Sequence, residues 1–142
     1  MTIPGLNIME LVDAYMDNFF DHQYFLNLHD GTIVLLNDAF EDDDELHNEI
    51  EANFGVTYLR IPQIESGLAY RDMQDFSYRV SSTLLQFKLQ QALSGPRPFR
   101  RFKDVLLDFP QERDQWFQFE YERNLERVRE WLRDENITID EP

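Results

Sequence analysis

The chain has 142 residues, with 13 Lys and Arg against 28 Asp and Glu, a formal charge of −15. That length fits one domain able to bury its own core, and the 20 aromatic residues (12 Phe, 6 Tyr, 2 Trp) exceed what a disordered acidic tail carries. The absence of cysteine excludes disulfide scaffolds, thiolate metal sites and cysteine nucleophiles. No apolar stretch reaches the ~18 residues of a membrane span, and the N-terminus has no basic region, so the expected setting is cytoplasmic, away from membranes.

In chain order, Ile8, Leu11, Val12, Tyr15, Met16 and Phe19 recur at helical spacing and predict a helix over 6–20, with Asn7 as N-cap. Residues 23–37 read as a hairpin with a two-residue turn at Asp30-Gly31. That register pairs Leu28 with Ile33 and Leu26 with Leu35 on one face, and Phe25 with Leu36 and Asn27 with Val34 on the other. The acidic run Glu41-Asp42-Asp43-Asp44-Glu45 leads into a short helix near 46–51, and 56–61 is a third strand ended by Pro62. Ala69, Met73, Phe76 and Val80 start an apolar phase that continues through Leu84 and Phe87. It allows one helix over 67–94, or two parted at Ser81-Ser82. Gly95-Pro96 stops it, and Pro98 opens a helix whose face holds Phe99, Phe102, Leu106 and Phe109. The last helix, 111–133, carries Phe117, Tyr121, Leu125, Val128 and Leu132 on one face, with an i,i+3 ladder of Glu120, Arg123, Glu126 and Arg129 on another.

Strands and helices are segregated, so the expected class is α+β: a small antiparallel sheet with an N-terminal helix and a bundle of three to four helices. The expected organisation is a single domain over 1–142, with helix and sheet in 1–62, helices in 66–134 and a tail at 135–142.

The run Phe99-Arg100-Arg101-Phe102-Lys103-Asp104, with Phe109-Pro110, Trp116-Phe117 and Trp131-Leu132, resembles the C-terminal signature of the bacterial uncharacterised protein family 0158. Tyr58-Leu59-Arg60-Ile61-Pro62, then Tyr70, Met73 and Phe76, and the strand-turn-strand around Asp30-Gly31, are similar to that family too, and the likeness covers roughly residues 20–133. Pro96-Arg97-Pro98 departs from the Gly or Ala usual before the signature run. The family name implies no activity, so the resemblance assigns no site residue.

Candidate chemistry therefore comes from the residues alone. The run 41–45 fails as a calcium loop, because Leu46 holds the sixth position from Glu41 and Ala52 the twelfth. It reads as a solvated loop, or else as a weak divalent-cation site or an acidic face for a partner. His22, His29 and His47 have no metal-site spacing, and His29 beside Asp30 is the one histidine to pick for catalysis. There is no G-x-S-x-G elbow and no phosphate-binding glycine loop. Arg97, Arg100, Arg101 and Lys103 form the dense basic patch at a helix start, suited to an anion or a partner, or else to pairing with Asp104. Tyr58, Tyr70, Trp116 and Phe119 read either as a second packed layer or as an exposed aromatic anchor.

The charge divides unevenly: residues 1–71 hold 2 bases and 14 acids, residues 72–142 hold 11 bases and 14 acids. The leading expectation is a non-catalytic interaction module binding a basic protein through its acidic N-terminal half, in the manner of an inhibitor, antitoxin or nucleic-acid mimic. The alternative is a binder of a small phosphorylated ligand or nucleotide at 97–103. A metal-dependent hydrolase ranks third. No cofactor or metal is expected, and duplex nucleic acid is disfavoured by the net charge.

Overall fold

The computed structural model describes residues 1–37 and 44–139. The fold is α+β: α1 (Ile8–Met16), β1 (His22–Asn27), β2 (Ile33–Asn37), α2 (Asp44–Ala52), β3 (Tyr58–Ile61), α3 (Ser66–Arg79), α4 (Thr83–Ser94), α5 (Pro98–Leu106) and α6 (Pro110–Asp134). Two compact units form: Met1–Ile64 with Asn124–Pro142, and Glu65–Arg123.

In the sheet-bearing unit, Asn7 caps α1 as its sequence position predicts, its Oδ1 accepting from the amides of Met9 (2.9 Å) and Glu10 (3.3 Å). Leu11, Val12, Ala14 and Tyr15 are the buried stripe. The helix stops at Met16 rather than near residue 20. Asp17 turns extended, and its side chain accepts from the Phe19 amide at 3.0 Å, a local bond that competes with another helical turn. Phe19 thus leaves the apolar face assigned to it and stands exposed.

The sheet is antiparallel in the order β2-β1-β3. Its hairpin register differs from the expected one by two residues: Leu26 pairs with Ile33, Phe25 with Val34 and Gln23 with Leu36. The two-residue turn is replaced by a five-residue loop, 28–32, closed by the Asn27 amide donating to Thr32 O at 2.8 Å. Asn27 Oδ1 also accepts from the His29 amide (2.9 Å), and Asp30 Oδ1 from the Thr32 amide (2.9 Å), so side chains shape the loop. Gly31 sits inside it at φ +77°, where a Cβ would lie 2.8 Å from Leu6 N. A shift of two keeps every residue on its expected face. Phe25, Leu36 and Tyr58 meet Ile50 of α2 on one face, and Leu26 and Ile61 are buried on the other. The chain's end closes onto its start: the Met1 amine donates to Asn136 O (2.8 Å), the Thr138 amide donates to Met1 O (2.7 Å), and Ile137 is buried.

In the helical unit, the long apolar phase is two helices. Ser82 caps α4, its Oγ accepting from the Leu85 amide at 3.1 Å. The break resets the phase: Leu85, Leu89 and Leu93 turn inward, whereas Leu84 and Phe87 are exposed. Pro98 starts α5 as predicted; Phe102 and Leu106 are buried, but Phe99 is only partly covered, 37% exposed. Met73, Phe76, Leu85, Leu89, Leu93, Phe102, Leu106 and Trp116 make the core, each burial contributing about 1.5–3 kcal/mol. Tyr70 donates to Leu93 O at 2.7 Å, satisfying a carbonyl at the end of α4.

Along α6 the inward row is Trp116, Asn124, Val128 and Leu132, with Glu120 half-buried among them. Phe117 is exposed, against expectation. The row that goes inside carries polar residues at 120 and 124, so a search for apolar periodicity selects its neighbour instead. Trp116 is 2% exposed, and Phe119 packs against it with ring centroids 6.1 Å apart. These aromatics, with Tyr58 and Tyr70, are packed rather than anchors for a partner.

Candidate functional site

Charge separates with the two units. The helical unit, 65–123, contains nine acids and nine bases and is neutral. The sheet-bearing unit contains four bases and nineteen acids, so it holds the whole −15. Glu10, Asp13, Asp21, Asp30, Glu45, Glu49 and Glu51 form no ion pair with Lys or Arg among the described residues. Of the predicted acidic face, Glu41, Asp42 and Asp43 lie outside the described residues, Asp44 opens α2, and Glu45 follows it, exposed.

Where α1 ends, Asp17 gathers a cluster. Its Oδ2 accepts from the Tyr24 hydroxyl at 2.6 Å and lies 2.7 Å from His22 Nδ1, while Gln63 Nε2 donates to its backbone carbonyl. Burial pushes the Asp17 carboxyl up, but hydrogen bonds from Tyr24, His22 and the Phe19 amide outweigh it and hold the group below its ordinary value. Tyr24 is pushed up to about 12, by burial first and then by Asp17 and the Asp13 charge. His22 Nε2 has no hydrogen-bond partner among the described residues. The ring is oriented by its other nitrogen. Sequence spacing did not reveal this pair, because a helix running on to residue 20 would have left Asp17 on a polar face.

His29, the histidine picked from sequence, is exposed, with Nε2 3.5 Å from Thr57 Oγ1. Its neighbour Asp30 is taken by the Thr32 amide and hydroxyl, which hold that carboxyl below its ordinary value. His47 pairs with Glu51 at 3.0 Å along α2. A cavity of about 500 Å³ lies beside that pair, floored by Phe25, Leu36 and Ile50 and rimmed by Gln23 and Arg60. Among the described residues, no group of three or more His, Asp or Glu is placed to hold a metal ion.

The predicted basic patch is spread around α5. Arg97 precedes the helix in the left-handed region (φ 53°), exposed, with no side-chain cap on the first amides. Arg100 approaches Asp104 at 4.0 Å with both side chains exposed, a contact of little energy. Arg101 lies over Gly95 and lines a groove with Lys88, Gln91 and Ala92. Lys103 turns to a separate cavity of about 350 Å³ with Arg113, Leu107, Trp116 and Phe117. The helix therefore brings Arg97, Arg100 and Arg101 to its start and sends Lys103 elsewhere. Within the same unit Arg123 bridges Asp75 (3.1 Å) and Asp72 (3.6 Å) on α3, rather than the ladder partners expected along α6.

The model of an uncharacterised protein family, UPF0158, matches residues 2–140. The chain belongs to this family. A UPF0158 protein of Pseudomonas aeruginosa is 30% identical over 132 residues, covering 93% of this chain and 84% of the relative. UPF0158 proteins of Chlamydia trachomatis and Chlamydia pneumoniae are each 26% identical over 131 residues, and there the match covers 90% of this chain but 40% of the relative. No solved structure matches. The UPF0158 signature run, Phe99–Asp104, falls on α5, where Phe102 fills the core and the three basic residues reach solvent. Among the described residues of this UPF0158 chain, no helix is long and apolar enough to cross a membrane.

Proposed function

We propose that this UPF0158 protein is a non-catalytic interaction module whose acidic, sheet-bearing unit engages a basic protein partner, as an inhibitor, antitoxin or nucleic-acid mimic does. The reading rests on one observation: the whole net charge of −15 belongs to one compact unit, and the other is neutral. A field of that size raises the rate of encounter with a cationic surface and suppresses anionic competitors. Salt screens such attraction beyond ~10 Å at 0.1 M. Affinity capture with the full chain at low and at moderate salt tests the reading. Partners are expected to be released by salt, and to be lost at low salt when Glu10, Asp13, Glu49 and Glu51 are changed to amides; partners indifferent to both changes refute it.

A second reading, a small phosphorylated ligand at the start of α5, is favoured by the uncapped amides there and the exposed Arg97, Arg100 and Arg101. Thermal shift with nucleotides, comparing the wild type with Arg101→Ala, tests it. A shift confined to the wild type supports it; none in either protein removes it.

A further inference from the structure

In the helical unit, phenylalanine rings carry cations from the same chain. Arg79 and Arg123 lie over Phe119 at 4.9 and 4.8 Å, Arg113 over Phe117 at 5.1 Å, and Lys88 over Phe109 at 5.7 Å. The acidic unit presents rings as well, and among the described residues no cation covers them. Phe20 is 83% exposed and Phe19 51%. Phe19 stacks obliquely on Phe20 at 5.5 Å and on His22 at 4.8 Å, so the rings form one continuous surface.

That surface is held in place before any partner arrives. The Phe19 amide donates to Asp17 Oδ1 (3.0 Å), the His22 amide donates to Phe19 O (3.0 Å), and Asp17 Oδ2 fixes the His22 ring. Asp21 joins Phe20 to His22 along the chain. Exposed π-faces beside carboxylates suit a guanidinium, which stacks on a ring and is more weakly hydrated than an ammonium.

We propose that Phe19, Phe20 and His22, flanked by Asp17 and Asp21, form the docking point for an arginine side chain of a basic protein partner. This rests on the proposed acidic-unit function and names its anchor. Its advantage over diffuse attraction is geometric: a preformed ring surface loses little entropy on binding.

Fluorescence anisotropy with labelled oligoarginine and oligolysine peptides of equal length, on the full chain, tests the proposal. Oligoarginine is expected to bind more tightly than oligolysine. Phe20→Ser and Phe20→Leu are both expected to weaken oligoarginine about three- to thirty-fold, because leucine keeps apolar surface but removes the ring. Tyr78→Ser, which removes an exposed ring from the neutral unit, is expected to leave it unchanged. Wild-type affinity in both Phe20 variants overturns the docking point while leaving the acidic reading standing. Failure of both peptides to bind the wild type at low salt overturns both.

Discussion

Tyr24 donates its hydroxyl to Asp17 Oδ2 at 2.6 Å, tying the central strand to the residue that ends α1. His22 shares the same oxygen, so one carboxylate organises the turn between helix and sheet. Asp17→Ala removes the acceptor of both and is expected to destabilise by about 1–3 kcal/mol, as read by denaturant unfolding. Because the folded pKa of Asp17 is depressed, its contribution is complete above the ordinary carboxylate range and is lost as pH falls through the folded value. The difference in stability between wild type and variant is therefore expected to shrink in acid; a difference constant with pH contradicts it.

At the alkaline end the sign reverses. Tyr24 titrates at about 12 in the fold against 10.0 ordinarily, so its contribution is complete below pH 10.0 and disappears as pH rises toward 12. Spectrophotometric titration of the wild type and Tyr24→Phe is expected to differ by one phenol ionising late. Identical curves at the alkaline end contradict the hydrogen bond to Asp17.

Gly31 and Gly55 both have positive φ, +77° and +82°, but differ in their surroundings. A Cβ at Gly31 would press on the backbone of Leu6 and Pro4, whereas one at Gly55 meets nothing within 4 Å. Gly55→Ala is expected to cost about 1–2 kcal/mol from the left-handed backbone alone. Gly31→Ala is expected to cost more, measurable as a lower melting temperature. Equal losses would mean that the approach of the loop to residues 4–6 carries no energy.

Arg123 pairs with Asp72, which is 1% exposed, and with Asp75. Asp72 keeps its other contacts, and Arg123 and Asp75 are part-exposed, so Arg123→Ala is expected to destabilise by about 1–3 kcal/mol. Arg123→Lys keeps the charge but loses the fork and the stacking on Phe119, and should recover part of this. Full recovery by lysine would show that charge alone matters.

Local signals were legible in the sequence where one or two residues decide the structure: the Asn7 cap, the break at Ser81-Ser82 and Pro98 at a helix start. The α+β class followed from segregated strands and helices. What escaped depends on long-range or side-chain effects. The hairpin register moved by two because Asn27 and Asp30 build a longer loop, and α1 ended early because Asp17 turns back on the Phe19 amide. The inward row of α6 was hidden by Glu120 and Asn124, polar residues in a packed stripe. The Asp17–His22–Tyr24 cluster and the Phe19–Phe20 surface were hidden by that same early stop. The charge asymmetry was visible, but its full extent required knowing that 124–142, with six acids, belongs with the first unit.

Carboxylates without basic partners repel one another, and salt relieves that repulsion. The most direct measurement is the melting temperature of the full chain from low to moderate sodium chloride at neutral pH. The account expects a clear rise as screening sets in; a melting temperature that stays flat or falls would show the acidic unit to be compensated internally, and would contradict a surface held open for a cationic partner.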